Sequence, residues 1–148
     1  MFSFVPGESV LDAGTGTGKN LTYIPGDVKI TSVDINTDML GLAKQRAKKR
    51  NLSVDWVVAD LRELPFEDNS FDVVVHTLVF CSVPNVENGL REISRVLKSD
   101  GTIIFIEHVL PKHKRMKRLF KFINPIWKRI ASGCNVTREY EKSLNYYQ

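Results

Sequence analysis

The sequence has few cysteines, no long apolar run and no signal-peptide pattern. Two cysteines, Cys81 and Cys134, occur in 148 residues, too few for a disulfide framework and without the spacing of a metal site. No apolar stretch approaches the ~18 residues that a membrane span requires. Met1 opens onto FSFVPGESV, which lacks the basic and long apolar regions of a signal peptide. These absences predict a cytoplasmic protein that binds no metal ion.

The composition is that of a single globular domain. Hydrophobic residues make up 43% and charged residues 26% of the chain, an ordinary balance for one core. The net charge of +4 is unevenly distributed, because residues 111–131 contain eight positive charges and no acidic residue. We therefore divide the domain into a core, residues 1–110, and a basic amphipathic helical segment, residues 111–148.

Strand patterns alternate with helical patterns along the core. Strands are predicted at 9–14, 29–35, 52–60 and 71–80, and a fifth begins at Gly101. Between the first two strands, Pro25 and Gly26 leave room for a short helix only. The other predicted helices are 85–101 and one capped by Asn36, whose apolar face is Met39, Leu42, Ala43 and Ala47. This alternation predicts an α/β fold, a Rossmann-like doubly wound parallel sheet of about five strands with flanking helices.

Polar residues follow each predicted strand at the edge where such a sheet binds ligands. These positions are Asp12 to Gly18, Asp34, Asp60, His76 to Leu78, and Glu107 with His108. Because the carboxyl ends of parallel strands meet at one edge, we expect these residues to lie close together.

The glycine-rich stretch VLDAGTGTGKN, residues 10–20, matches two phosphate-binding patterns poorly. A P-loop needs a glycine where Ala13 stands and a hydroxyl where Asn20 stands. A dinucleotide loop needs a third glycine where Lys19 stands, and Asp12 would repel the pyrophosphate. Both ligands are therefore disfavoured.

S-adenosylmethionine fits the stretch better, because it has no phosphate and carries a positive ammonium and sulfonium. Asp12 would favour the cationic end, and the glycines would let the backbone approach the ligand. Asp34 would accept hydrogen bonds from the ribose, and Asp60 from the adenine amino group, with Leu61 or Ile35 packing on the ring. The predicted cofactor residues are Asp12, Ala13, Gly14, Thr15, Gly16, Gly18, Asp34, Ile35, Met39, Asp60, Leu61, His76 and Thr77. Taken singly, each could instead be an ordinary turn or helix-cap residue.

The general base, if there is one, is left open by the sequence. His76 and His108 lie at the correct sheet edge, and histidine is a residue type that suits base chemistry near neutral pH. A single histidine at a strand end is more often structural, and His76 fits the cofactor wall better. Cys81 is expected to be buried rather than nucleophilic, since no base partner is evident.

The basic segment allows three interpretations. Met116, Leu119, Phe120 and Ile123 recur at helical spacing opposite lysines and arginines, and Pro125 is expected to break or kink the helix. The helix could pack on the sheet, bind nucleic acid, or lie on an anionic membrane through residues 112–130. Nucleic acid is disfavoured because no base-reading motif accompanies the charges.

Several motifs together resemble class I S-adenosylmethionine-dependent methyltransferases of the type 11 group. They are VLDAGTGTG, VDI, VVADLRELPFEDNSFDVVV and LREISRVLKSDGTIIFIEH, within residues 10–109. TLVFCSVPNVENGL and GCNVTRE are similar to the branch that holds phosphatidylethanolamine N-methyltransferases and thiol methyltransferase-like proteins. Quinone-ring C-methyltransferases are more distant relatives.

The resemblance implies a methyltransferase that acts on a small-molecule or lipid-like acceptor. The family usually has helices before the first strand and a C-terminal antiparallel strand pair, for which this chain has no room, so we expect an abbreviated protein or a fragment. The alternatives are a non-catalytic S-adenosylmethionine-binding protein and, less favoured, an NAD-binding one. Missing edge strands would leave an exposed sheet edge, which predicts a homodimer.

Overall fold

Five parallel strands form the centre of the protein. The computed structural model describes residues 4–107, 113–130, 135 and 137. The strands are β1 Ser9–Ala13, β2 Lys29–Asp34, β3 Val54–Val58, β4 Phe71–Thr77 and β5 Leu97–Ile106. They form one sheet in the order β3-β2-β1-β4-β5, with every neighbouring pair parallel. The predicted fold class is confirmed, and the strand order reverses between β1 and β4, where such sheets bind ligands.

The helices lie between the strands much as the sequence predicts. They are α1 Thr37–Lys49, α2 Val86–Val96, α3 Lys114–Ile130 and a short 3₁₀ helix at Asn20–Thr22. The side chain of Asn36 caps α1 by accepting from the amides of Asp38 and Met39 at 2.9 and 3.1 Å. The predicted apolar face of α1 is wrong at one position: Leu42 is exposed and Leu40 is buried.

The sequence predicts that the second long helix runs to a stop at Asp100 and Gly101, and this end is wrong. Helix α2 ends at Val96, and Leu97 is already extended, with φ −76° and ψ 137°. The apolar spacing continues past Val96, but Lys98 pairs with Asp72 of β4, Nζ to Oδ1 2.6 Å. The β4–β5 register also shifts between Phe71 and Val73. Pairing with β4 therefore outweighs the helical pattern of this segment.

Two apolar clusters cover the two faces of the sheet. One joins Leu11, Val74 and the α2 residues Leu90, Ile93 and Val96. The other joins Val10 and Val73 to Leu21 and Ile24, which belong to or follow the 3₁₀ helix. Helices on both faces leave the carboxyl edge of the sheet as the place where polar side chains collect.

Helix α3 differs from its prediction in two ways. It continues through Pro125, so of the predicted break or kink at this residue the break is wrong. Phe120 of its apolar face is half-buried, but its other apolar residues are exposed rather than packed on the sheet: Met116, Leu119, Phe122, Ile123, Ile126, Trp127 and Ile130. In the described part of the chain, no helix is long and apolar enough to cross a membrane.

Candidate cofactor site

The glycine loop after β1 has a backbone conformation that residues other than glycine rarely adopt. Gly14, Gly16 and Gly18 have φ of 71°, 53° and 76°, a left-handed region that costs other residues roughly 1–2 kcal/mol each. Gly14 lies against Val79 and Gly18 against Ala43, whereas no atom lies within 4 Å of a Cβ built on Gly16. Gly16 is therefore where a ligand can approach the backbone closely.

Asp12 is fully buried beneath this loop. Its Oδ2 accepts from the Thr15 hydroxyl, and its Oδ1 accepts from Asn20 Nδ2 at 2.8 Å. Burial raises the pKa of Asp12, and the nearby Asp34 carboxylate raises it further, against the hydrogen bonds from Thr15 and Asn20. Asp12 thus holds the loop by direct hydrogen bonds. Because it is buried, it would act on a ligand through its electrostatic field and not through a direct contact.

Asp34 connects the end of β2 to the glycine loop. Its Oδ2 accepts from the Gly16 amide at 2.7 Å and its Oδ1 from the Asn36 amide at 2.9 Å. Each carboxylate oxygen has a further lone pair. Asp34 can therefore fix the loop and still accept hydrogen bonds from two ribose hydroxyls, as the sequence predicts.

Asp60, beyond the end of β3, is paired with a residue that sequence reasoning missed. Arg62 donates Nη2 to Asp60 Oδ2 at 2.6 Å, and its Nε lies 3.0 and 3.1 Å from the two oxygens. The hydrogen bond from Arg62 lowers the pKa of Asp60. An ionised Asp60 only accepts hydrogen bonds, which suits an amino group. The signal in the sequence for this ion pair is the stretch DLR, in which the acidic Asp60 and the basic Arg62 are two positions apart.

Of the two residues predicted to pack on the adenine ring, Ile35 and Leu61, the structure favours Ile35. The side chain of Ile35 is 65% exposed at the end of β2, whereas Leu61 is 6% exposed and belongs to the core. Ile35 is therefore free to cover a ring and the Leu61 side chain is not. Met39 is half-buried in the first turn of α1, and Ala13 is buried in β1.

His76 is buried rather than open to the site. It has no exposed surface, and its Nδ1 lies 3.2 Å from Glu107 Oε1. The ring stacks on Phe105 at 5.4 Å and meets Phe80 edge-on at 5.0 Å. This setting favours a structural role over that of a base. The other candidate, His108, lies outside the described residues.

Thr77 belongs to a hydrogen-bonded chain that leads back to the glycine loop. Its hydroxyl donates to Asn20 Oδ1 at 2.7 Å, and Asn20 in turn donates to Asp12. Asn20 was not predicted as a site residue, because its partner Thr77 is distant in sequence. An open cleft of about 380 Å³ adjoins this chain, lined by Lys19, Asn20, Thr22, Tyr23, Arg46, Thr77 and Ile106.

Replacing Asp12 with asparagine is expected to stabilise the fold at neutral pH. Burial raises the folded pKa above the ordinary value of 3.8, so wild-type stability declines as pH rises from that value through the folded pKa. The amide avoids this cost, because the Thr15 hydroxyl can reverse and accept. Urea unfolding at a series of pH values that starts at the ordinary pKa of 3.8 and ends above neutrality measures the effect. The variant's advantage should grow with pH, and an advantage that does not change with pH would contradict the burial argument.

The arrangement suits S-adenosylmethionine in charge and shape. Carboxylates stand at the ends of β1, β2 and β3, and Gly16 offers an open backbone between them. A cationic ligand is attracted there and a pyrophosphate is repelled. Among the residues that the structure describes, no cluster of histidine, cysteine or carboxylate side chains could hold a metal ion.

Known proteins are similar to this chain in sequence and in fold. Thiol S-methyltransferase TMT1B of Rattus norvegicus is 38% identical over 146 residues, which are 95% of this chain and 59% of that protein. The ubiquinone/menaquinone biosynthesis C-methyltransferase UbiE of Shewanella woodyi is 32% identical over 121 residues, 78% of this chain and 48% of that protein. This chain therefore spans a little over half the length of the thiol methyltransferases that it matches.

Solved structures agree with these relatives. The YcgJ protein of Bacillus subtilis has a TM-score of 0.81 at 23% identity, covering 96% of this chain and 60% of that one, which shows the fold. A SAM-dependent methyltransferase of Methanosarcina mazei has a TM-score of 0.71 at 26% identity, covering 84% and 64%. Residues 11–105, which include the glycine loop and the three carboxylates, match the methyltransferase domain family. The chain therefore belongs to that family, and its cofactor is S-adenosylmethionine.

Proposed function

We propose that this protein transfers the methyl group of S-adenosylmethionine to a small-molecule or lipid-like acceptor, with a thiol as the first candidate. The observation that carries the proposal is the set of three carboxylates, Asp12, Asp34 and Asp60, at the ends of β1, β2 and β3, of which the first two bond the glycine loop. The similarity to thiol S-methyltransferases supports the choice of a thiol. The chain covers 59% of the rat relative, so activity and acceptor are both proposals.

Positioning is the main task of the protein in such a transfer. When bound, the cofactor would supply a methyl group on a sulfonium: the acceptor sulfur would bond the methyl carbon as the carbon–sulfonium bond breaks, and the demethylated cofactor would be left as a neutral thioether. The acceptor's thiol proton passes to solvent. Holding two reactants in line can supply ~7–11 kcal/mol of the barrier, and the loop held by Asp12 and Asp34 fixes one of them.

A thiol acceptor also fits the burial of His76. A free thiol with a pKa of about 8.5 is already partly ionised at neutral pH, so no side chain has to remove its proton. A quinone-ring carbon or an ammonium lacks this advantage.

We expect methylation of an alkyl thiol whose rate rises about tenfold per pH unit below pH 8, since the thiolate is the nucleophile. Methyl-labelled S-adenosylmethionine with an alkyl thiol, phosphatidylethanolamine or a reduced quinone measures the preference. Gly16→Ala, which blocks the open approach to the loop, serves as the inactive control. If the methyl label appears in the quinone or the lipid and not in the thiol, the proposal of a thiol acceptor is rejected. Cofactor binding without any turnover would favour the non-catalytic alternative.

The exposed face of α3 supports peripheral contact with a membrane through residues 112–130. Met116, Ile123 and Trp127 lie on one exposed stripe, and the segment's eight positive charges are accompanied by no acidic residue. A basic amphipathic helix of this kind suits the surface of an anionic bilayer. It would also bring the site close to an apolar acceptor.

Flotation with vesicles containing anionic lipid tests this contact. We expect binding at low salt that weakens at high salt, because exposed charges are screened. Replacing both Arg118 and Lys121 with glutamate should abolish flotation. The matched control replaces Lys48 and Lys49 on α1, which are also exposed, and should keep it. Failure of the wild type to float at low salt would reject membrane contact.

A homodimer remains a prediction. Within the described residues, the outer strands β3 and β5 each pair with one neighbour, which leaves an edge on each side that a second copy could cover.

A further inference from the structure

The loop between β4 and α2 packs against the glycine loop. Val79 packs so closely on Gly14 that a Cβ added to Gly14 would lie 2.9 Å from the Val79 Cβ. Leu78 just before it has a φ of 54°, a left-handed backbone that is strained for leucine. This loop, residues 78–81, therefore has to be held in place by its surroundings.

One side of the 78–81 loop is held by Glu107. Its Oε1 accepts from the amides of Val79 and Phe80 at 3.0 and 3.1 Å. The Glu107 side chain is 2% exposed, so these bonds are shielded from water. They tie the loop to the end of β5.

The other side of the loop is held by the turn at Asn135 and Thr137. The Asn135 amide donates to the Cys81 carbonyl at 2.9 Å. Asn135 Oδ1 accepts from the Thr137 amide at 3.1 Å and from its hydroxyl at 2.8 Å. The backbone of the turn thus bonds the loop while its side chains face another element.

That element is α3, through Asn124. Its Nδ2 donates to Asn135 Oδ1 at 2.9 Å and to Thr137 Oγ1 at 3.3 Å. Among the α3 residues whose burial the structure describes, Asn124 alone is buried. Helix α3 is therefore attached through a polar residue at the edge of its apolar stripe, and the attachment leads to the wall of the glycine loop.

We propose that Asn124 is a positioning residue for the cofactor site, which holds Val79 against Gly14 through Asn135 and the Cys81 carbonyl. Removing the Asn124 amide leaves the acceptor oxygen of Asn135 short of one donor and loosens the turn that bonds the loop. The loop then opens more often and the wall of the cofactor site is less well formed.

Residue-specific amide hydrogen exchange on the full chain tests the proposal without a ligand. Asn124→Ala should lower the protection of the Val79 and Phe80 amides by about three- to tenfold, the range expected for one hydrogen bond. The amides of Leu11 and Val33, in the centre of the sheet, should keep their protection. Lys121→Ala, on the exposed side of the same helix, is the matched control and should change neither pair.

Affinity for S-adenosylhomocysteine, measured by calorimetry, provides a second readout. Asn124→Ala and the isosteric Asn124→Asp should both weaken binding about three- to tenfold relative to Lys121→Ala. Thr137→Val removes a single hydroxyl and should shift exchange and affinity in the same direction, which keeps the test open if the Asn124 variants fold poorly.

The two readouts separate this proposal from the cofactor assignment on which the affinity measurement rests. Unchanged protection at Val79 and Phe80 would overturn the positioning role, as would an equal loss at Leu11 and Val33. Wild-type protein that fails to bind S-adenosylhomocysteine would overturn the cofactor site instead, while exchange would still decide the role of Asn124.

Discussion

Gly14→Ala is expected to destabilise the protein by about 2–5 kcal/mol. The left-handed backbone at Gly14 accounts for roughly 1–2 kcal/mol, and overpacking of a tight contact adds about 1–3 kcal/mol. The new methyl group would lie 2.9 Å from the Val79 Cβ, an atom that no change of rotamer moves. The loop of residues 78–81 would have to shift as a whole.

Gly16→Ala provides the comparison, because Gly16 has a similar φ of 53° but open space where the Cβ would lie. Only the backbone cost of roughly 1–2 kcal/mol should remain. Urea unfolding of both variants measures the difference. Equal losses of unfolding free energy would show that contact with Val79 does not constrain the loop.

Asp34→Ala is expected to weaken cofactor binding about 10²-fold and also to destabilise the fold, because the amides of Gly16 and Asn36 lose their charged acceptor. Hydrogen bonds to a charged group contribute about 1.5–3 kcal/mol each, and the variant removes both the predicted ribose bonds and the support of the Gly16 amide.

Asp55→Ala is the matched control for the loss of one negative charge. Asp55 lies on β3 and is exposed, at the opposite end of that strand from the site. Calorimetry with S-adenosylhomocysteine should show near wild-type affinity for Asp55→Ala and a large loss for Asp34→Ala. Similar affinities for the two variants would mean that Asp34 does not bind the ribose.

The sheet and the strand ends could be predicted because their signals are local. The run of valines in β4 and the alternation of strands with helices determine a parallel sheet, and the sheet then brings Asp12, Asp34 and Asp60 to one edge. The start of β5 at Leu97 could not be predicted, since the helical spacing of α2 continues beyond it and the pairing with Asp72 is distant in sequence.

The contacts that shape the site depend on distant pairs. Asn20, which bonds Asp12, is separated by 57 positions from its other partner Thr77, and Glu107 is separated by 31 from His76. No local pattern encodes either pair. Residue types at strand ends therefore predicted the ligand class, whereas the burial of His76 and Leu61 required the three-dimensional structure.

The most direct test of the central claim is calorimetry of the wild-type protein with S-adenosylmethionine, NADH and ATP in parallel. The carboxylates around the glycine loop predict binding of S-adenosylmethionine and neither binding of NADH nor binding of ATP. Tight binding of NADH with none for S-adenosylmethionine would contradict the account.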